Sequence, residues 1–343
     1  MDKKIAVLAT GANGSCISAD LTRAGLDVTM IDQWPAHIEA MRANGLTIKV
    51  RDKDEEYNVK VTAHHLCDVC TLSEKFDVVL LTSKAYDSRW LTEFIKPYLA
   101  DDGLILAVQN CMTAEMIAEI VGPERTVGCV VELASQLFDP GVVTRSTPQE
   151  RTWFGVGAFD PAHADRVEEA AEVLRYAGKV DVSDEVISAK WMKLIVNAMT
   201  MALKAMAGAT NEQFYKYNGT RDLVLRSGEE ALAAGQFLGH NVVPIFGLNP
   251  EDLQGSNRML EILLDKITHD VGPTALNTVL QDHMKGRYSE IDLINGMVAE
   301  ECRKRGRPAP VSEAVVEITR EIHAGRLKPD PANLELVFQR LQH

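Results

Sequence analysis

Two textures of hydrophobic patterning divide the chain. In the first half, short continuous apolar runs recur at Ile5-Ala6-Val7-Leu8, Val28-Thr29-Met30-Ile31, Phe76-Asp77-Val78-Val79-Leu80-Leu81-Thr82 and Gly103-Leu104-Ile105-Leu106-Ala107-Val108. Runs of that length with little alternation suit strands covered on both faces. Helices are predicted between and after them, near Pro35 to Asn44, Ser88 to Leu99 and Thr113 to Val121. Two polar-alternating strands, Leu46 to Arg51 and Tyr57 to Ala63, flank the charged turn Asp52 to Glu56. Strand and helix alternate throughout, which predicts an α/β domain built on a doubly wound parallel sheet.

From Arg125 to Gly157 the pattern becomes richer in strand, with turns at Asp139-Pro140-Gly141 and near Pro148, and a helix follows from about Pro161 to Ala177. After Ser183 only helical periodicity is read: Asp184 to Ala207, Asn211 to Tyr217, Thr220 to Leu238, Pro250 to Thr268, Asn277 to His283, Ser289 to Gly306 and Val311 to Ala324. The boundary falls near 178–188, giving a dinucleotide-type domain over 1–182 and an all-helical domain over 183–343. A chain of 343 residues exceeds the size at which one core keeps growing, so two domains are expected on length as well.

Composition changes the picture only by exclusion. A hydrophobic content of 46% and a charged content of 25% are those of an ordinary folded protein. The formal net charge of −13 repels nucleic acid and anionic membrane surfaces. It leaves a small anionic substrate open, because such a ligand responds to the local site. No segment reaches the roughly 18 uninterrupted apolar residues of a membrane span, and Met1-Asp2-Lys3-Lys4 enters the first strand without room for a signal peptide. A cytoplasmic protein is expected. The cysteines Cys16, Cys67, Cys70, Cys111, Cys129 and Cys302 are scattered. Cys67-Asp68-Val69-Cys70 follows His64 and His65, but one such pair lacks the ligands of a closed zinc site, so free thiols and no metal are expected.

The first strand runs into Ala9-Thr10-Gly11-Ala12-Asn13-Gly14, and the second ends on Asp32. A strand, a glycine turn, a helix and, about 20 residues on, an acid at a strand end are the parts of a dinucleotide site. Gly11 lets the backbone approach a pyrophosphate, the free amides of Ala12 and Asn13 in the helix's first turn face the phosphates, and Gly14 lets helix and strand pack closely. Asp32 accepts from the adenosine ribose. Ala9 stands where the first glycine is usual, so the fingerprint is imperfect, and a nucleotide-free flavodoxin-like turn is the alternative. Ligands of such sheets lie outside the carboxyl ends of the strands. Those ends read Thr82-Ser83-Lys84 and Val108-Gln109-Asn110. Lys84 is either a ligand or a solvated strand end, and the carboxamide of Asn110 suits a nicotinamide or a substrate.

In the helical half, Lys190-Trp191-Met192-Lys193-Leu194-Ile195-Val196-Asn197-Ala198-Met199-Thr200-Met201 is mostly apolar. Lys193 and Asn197 share one helix face and need polar partners or a water-filled cleft. Desolvation would make Lys193 a proton donor near neutral pH, while the alternative is a lysine that reaches out to solvent. Further on, Ser289 and Asp292 have a capping-box spacing and Glu290 suits a helix first turn, so a capping role is open for them.

In order and spacing, Lys4 to Gly14, Leu81-Thr82-Ser83-Lys84-Ala85-Tyr86, Val108-Gln109-Asn110, Trp191-Met192-Lys193-Leu194-Ile195-Val196-Asn197 and Leu280-Gln281-Asp282 through Glu290-Ile291-Asp292-Leu293-Ile294-Asn295-Gly296 resemble the ketopantoate reductase family. The resemblance covers most of the chain. It implies a Rossmann domain followed by a helical domain like the C-terminal domain of 6-phosphogluconate dehydrogenase, with the active site in the cleft between them. It also implies reversible hydride transfer between a nicotinamide and a 2-keto or 2-hydroxy acid. By the same resemblance Lys193 is the general acid and base, and Glu290 is the acidic residue that bonds substrate. Asn110 and Asn197 position the substrate, Lys84 lies by nicotinamide and substrate, and Thr278 keeps the hydroxyl of a family serine that binds the substrate carboxylate.

Three departures refine the expectation. Met201 replaces a second asparagine of the family helix, which favours a substrate with an apolar side group over ketopantoate. Asp32-Gln33-Trp34 replaces a basic residue, and a carboxylate there repels a 2′-phosphate, so NAD is expected, with NADP as the alternative. The stretch from Val243 to Leu276 is longer than expected and suits a lid or a dimer contact. The expected protein is therefore an NAD-dependent 2-hydroxy acid dehydrogenase, acting as a homodimer. The alternatives are an NADPH-dependent 2-dehydropantoate 2-reductase and a non-catalytic dinucleotide-binding sensor.

Overall fold

The computed structural model describes residues 3–51, 53–253 and 258–342. Asp52 of the predicted charged turn, the first two residues of the chain, and positions 254–257 within the predicted Pro250 to Thr268 helix lie outside the described residues. The strands are β1 (Lys4–Leu8), β2 (Asp27–Asp32), β3 (Leu46–Val50), β4 (Glu55–Val59), β5 (Thr62–His65), β6 (Phe76–Leu81), β7 (Leu99–Val108), β8 (Thr126–Glu132), β9 (Ser135–Gln136), β10 (Val142–Arg145), β11 (Trp153–Ala158) and β12 (Lys179–Val182). The chain divides into two compact units, Met1–Lys190 and Trp191–His343.

In the first unit an eight-stranded sheet runs β12-β11-β8-β7-β6-β1-β2-β5. Its neighbours pair in parallel except β8 with β11. Successive residues of one strand feed opposite cores. Ile5, Val7, Val78 and Leu80 enter one buried cluster, while Ala6, Leu8, Val79 and Leu81 enter the other. Two apolar faces are why these strands read as continuous runs. A second sheet, β4-β3-β10-β9, is where the pattern misled. The single predicted strand Tyr57 to Ala63 is two strands in different sheets: β4 lies antiparallel to β3, and β5 lies parallel to β2. The small sheet is tied to the Ala12–Arg23 helix by Arg145, whose Nη1 donates to Asp20 Oδ2 at 2.6 Å with both side chains almost fully buried.

The division between units falls inside the Val186–Thr200 helix, later than the expected 182/183 boundary, and the packing explains it. β12 joins the sheet edge beside β11. Val186 occupies the space left by Gly128 and Gly157, whose absent Cβ atoms would collide with it. Lys190, 3% exposed, donates to the carbonyls of Gln109 at 3.0 Å and Cys129 at 3.1 Å. The helix's first turns thus belong to the sheet.

The second unit is helical in its described residues, and includes an Ala332–Arg340 helix that the periodicity did not predict. Trp191 Nε1 donates to Ala231 O at 2.9 Å, and the missing side chain of Gly235 makes room for the indole. Glu230 accepts from Val311 N and Ser312 N at 2.8 Å each, so a carboxylate from another helix caps the Pro310–His323 helix. One segment, Val186–Met206, has the length and composition of a membrane span, but 78% of its apolar window is buried inside the protein. That burial is what a core helix shows.

Lys204, 3% exposed, has Asn211 Oδ1 as an acceptor at 2.5 Å and the Tyr215 ring 4.9 Å from its ammonium. Desolvation pushes its pKa down from 10.5 to about 7. With the folded value below the unfolded one, falling pH protonates the unfolded chain first. Stability therefore drops as pH falls from about 10 toward 7, then levels once the folded protein also takes the proton, at a slope of up to ~1.4 kcal/mol per pH unit. Lys204→Met should remove that contribution. Denaturant melts at pH 7, 8.5 and 10 should show the variant gaining on the parent as pH is lowered; a parallel pH dependence in both would refute the assignment.

Candidate active site

The turn after β1 is built around a steric cost. Ala9 has φ 64, in the left-handed region where a non-glycine residue costs roughly 1–2 kcal/mol. It does so where the sequence lacked its first glycine. Ala9 N donates to Ile31 O at 2.7 Å and Gly11 N to Ala9 O at 2.8 Å, which folds the chain back over the end of the sheet. The Ala12–Arg23 helix then starts with Gly11 as N-cap, no side-chain cap and no acid in its first turn. Its first amides are left for a ligand, and the helix dipole favours an anion there.

The two glycines differ in what surrounds them. A Cβ on Gly11 would meet nothing within 4 Å, so an open cradle lies over the helix start. A Cβ on Gly14 would lie 3.4 Å from Ala9 O and closer still to Thr82 Oγ1. Gly14 serves packing, and Gly11 leaves space. Asn13 is partly engaged already, since Ser135 Oγ donates to its Oδ1 at 2.6 Å. Asp32, 7% exposed at the end of β2, accepts from Trp34 N at 2.7 Å through Oδ1, and Thr10 Oγ1 approaches Oδ2 at 3.5 Å. Anchored in this way, the carboxylate is aimed before any ribose arrives. The open cradle, the uncapped amides and the fixed acid fit a dinucleotide pyrophosphate with its ribose.

Sequence reasoning gave no role to Gln109. Its Nε2 lies 3.0 Å from Ser83 O and 2.8 Å from both Ser83 Oγ and Ser88 Oγ. The end of β7 is thereby tied to the loop after β6, and half-buried Lys84 and Asn110 stand beside these tied residues. The signal was present in Val108-Gln109-Asn110, but only its last residue was read as functional.

In the helical unit, half-buried Lys193 has its Nζ 4.8 Å from the centre of the Phe246 ring, a contact the sequence did not suggest. Asn197 is 1% exposed. Met201 N donates to Asn197 O at 2.9 Å and Ala205 N to Met201 O at 3.0 Å, so helical bonding continues through position 201. Thr278 Oγ1 contacts Met201 Sδ at 3.7 Å, which brings these two candidates together. Asn277 sets that neighbourhood: its Oδ1 accepts from Leu280 N and its Nδ2 donates to Met201 O, both at 3.0 Å.

Glu290, 4% exposed, sits at the start of a short 3-10 turn, Ile291–Leu293, and the Asn295–Lys304 helix follows a break at Ile294. The capping box read at Ser289 and Asp292 does not form. Ser289 N and Oγ both address His323 Nε2, at 3.2 and 3.1 Å, and Asp292 pairs with Arg320 at 2.6 Å. Partners from the Pro310–His323 helix replace the local cap. Cys67 and Cys70 are exposed free thiols on the 3-10 turn Leu66–Thr71. Among the described residues no group of three or more His, Cys, Asp or Glu is placed to hold a metal.

The turn, the uncapped helix and the anchored acid define a dinucleotide-binding α/β protein joined to a helical unit. The sequence profile described as "Ketopantoate reductase PanE/ApbA" matches residues 5–158, and its C-terminal companion, "Ketopantoate reductase PanE/ApbA C terminal", matches 185–323. The chain belongs to the ketopantoate reductase family. A 2-dehydropantoate 2-reductase of Mesorhizobium japonicum is 28% identical over 345 residues, covering 94% of this chain and 98% of that protein. One of Pyrococcus horikoshii is 28% identical over 316 residues, covering 90% and 94%. The fold is shared with D-mandelate dehydrogenase solved with NADH and anilino(oxo)acetate, at TM-score 0.81 and 19% identity over 94% of this chain and 99% of that one. It is shared equally with a 2-dehydropantoate 2-reductase of Geobacter metallireducens, at TM-score 0.79 and 23% identity over 93% and 99%.

The two glycines should separate in experiment. Gly14→Ala should lower unfolding stability by roughly 1–3 kcal/mol through overpacking, measured by urea denaturation. Gly11→Ala should cost less, about 0.5–1 kcal/mol as a poorer N-cap, and weaken NADH binding by fluorescence titration.

Proposed function

We propose that the chain is an NAD-dependent dehydrogenase for a 2-hydroxy acid with an apolar side group, also able to run as reductase of the matching 2-keto acid. Membership of the family makes it an NAD(P)-dependent oxidoreductase acting on a CH–OH group. The finer choices rest on residues of this chain. Asp32 carries the cofactor preference: a carboxylate held by Trp34 N accepts from a 2′-hydroxyl and repels a 2′-phosphate. The N-terminal unit takes the dinucleotide, and the helical unit supplies substrate and homodimer contacts of a cytoplasmic enzyme.

Bound over the Gly11 cradle, NAD supplies the carbon that takes or gives the hydride. On reduction, the carbonyl oxygen of the keto acid gains charge, and Lys193 Nζ delivers the proton it needs; on oxidation the neutral amine takes that proton back. Glu290 accepts a hydrogen bond from the substrate and supports the charge on Lys193. Asn110 and Asn197 hold the substrate by carboxamide hydrogen bonds, and Lys84 adds a positive charge near the acid. Thr278 binds the carboxylate through its hydroxyl, with Met201 Sδ in contact beside it. A thioether is only a weak acceptor, so position 201 favours an apolar group over a hydroxyl. The second reading, an NADPH-dependent 2-dehydropantoate 2-reductase, is supported by relatives of that name at 28% identity.

Titration should show NADH binding at least about tenfold tighter than NADPH, since unlike partners at one charged site differ by a kcal/mol or more. Tighter NADPH binding would remove the role given to Asp32. In a panel of branched, aromatic and acidic 2-keto and 2-hydroxy acids, those with apolar side groups should turn over fastest; preference for ketopantoate would favour the second reading. Lys193→Ala should lower kcat by about 10²–10⁴-fold with NADH affinity retained, and undiminished turnover would exclude Lys193 as the acid.

A further inference from the structure

Phe246 is in the long Val243 to Leu276 stretch and has φ 60, followed by Gly247 at φ 69. Leu248 N donates to Ile245 O at 3.2 Å, so the two residues are the centre of a tight turn with positive φ at both positions. Such turns are dominated by glycine, asparagine and aspartate. Gly247 meets that demand without strain, and a phenylalanine does not. A bulky residue kept in this region has to be held by its surroundings, and strain retained at one point directs attention to function there. Phe246 is held: it is 3% exposed, and Ile245 beside it is fully buried. The ring so placed meets the Lys193 ammonium at 4.8 Å.

We propose that Phe246 is a positioning residue for proton transfer, its ring face holding the Lys193 ammonium where the substrate oxygen receives the proton. The proposal rests on the reading of Lys193 as the general acid. A lysine side chain has a flexible four-carbon stem and a compact charge, so an acid built from it needs restraint. An aromatic face attracts the ammonium electrostatically. Unlike a carboxylate, it takes no proton and gives the lysine no competing base. The turn therefore holds the charge in place without itself competing for its protons.

The test compares Phe246→Leu and Phe246→Tyr in the full-length protein, in parent and Lys193→Ala backgrounds. Both keep a bulky side chain at the strained position, but only the second keeps a ring. Phe246→Leu should lower kcat by about 5- to 30-fold, with KM for the acid and affinity for NADH within about twofold. Phe246→Tyr should recover kcat to within about threefold of the parent. In the Lys193→Ala background, Phe246→Leu should cause no further loss, because the contact it removes is already gone. Phe246→Met, assayed identically, replaces the leucine variant if that one melts below the assay temperature. Unchanged kcat in the ringless variant, equal impairment of Leu and Tyr, or the same loss repeated without Lys193 would each overturn the proposal. Full turnover by Lys193→Ala alone would instead overturn the assignment of the acid, and the role of Phe246 with it.

Discussion

Burying an amine removes it from water at a cost that only suitable acceptors offset. The apolar helix from Val186, with its continuation to Met206, carries three lysines whose partners differ. Lys190 meets two backbone carbonyls, neither of which can accept a proton at ordinary pH, and it ties the helix start to the residue after β7 and to the middle of β8. Lys193 is half-buried against the face of a ring. Lys204 has a carboxamide oxygen and an aromatic face in a nearly dry place, and its pKa falls to about 7. The same side chain thus stands as a tie, as a charge held on a ring face and as a weakly basic amine. Partner and solvent access decide which.

A comparable division of labour governs the nucleotide turn. Backbone strain at Ala9, close packing at Gly14 and open space at Gly11 lie within six successive residues. None of the three carries a polar side chain. They place amides and leave room, while the charge beside them is that of Asp32, held by a neighbouring backbone N–H. On the reading proposed above, selectivity between dinucleotides concentrates on that carboxylate, and general affinity on the turn.

Much of this was legible from sequence because burial on both faces writes a continuous apolar run. β1, β2, β6 and β7 were read for that reason, and the Pro35–Asn44 helix was read with its bounds. Features set by distant partners were not legible. Tyr57 to Ala63 looks like one alternating strand, and only the existence of a second sheet divides it. β12 is a short Lys-Val-Asp-Val stretch that is mostly exposed, so it carries no buried-strand signature. Ser289 has the chemistry of a cap, but its partner is His323, in a helix whose approach cannot be read from the local pattern. Phe246 hides most completely, because positive φ is signalled by glycine or asparagine and phenylalanine argues against it.

Asn277 has a consequence for how such a protein can change. Its carboxamide starts the Thr278–Met284 helix with one atom and grips the main chain of Met201 with the other. The grip is on backbone, so it is indifferent to what side chain stands at position 201. Clamp and side chain are therefore mechanically uncoupled at this point: an exchange at position 201 leaves the backbone grip in place. With the substrate role proposed for Met201, a lineage can explore new substrates through that one position without first having to rebuild the helices around it.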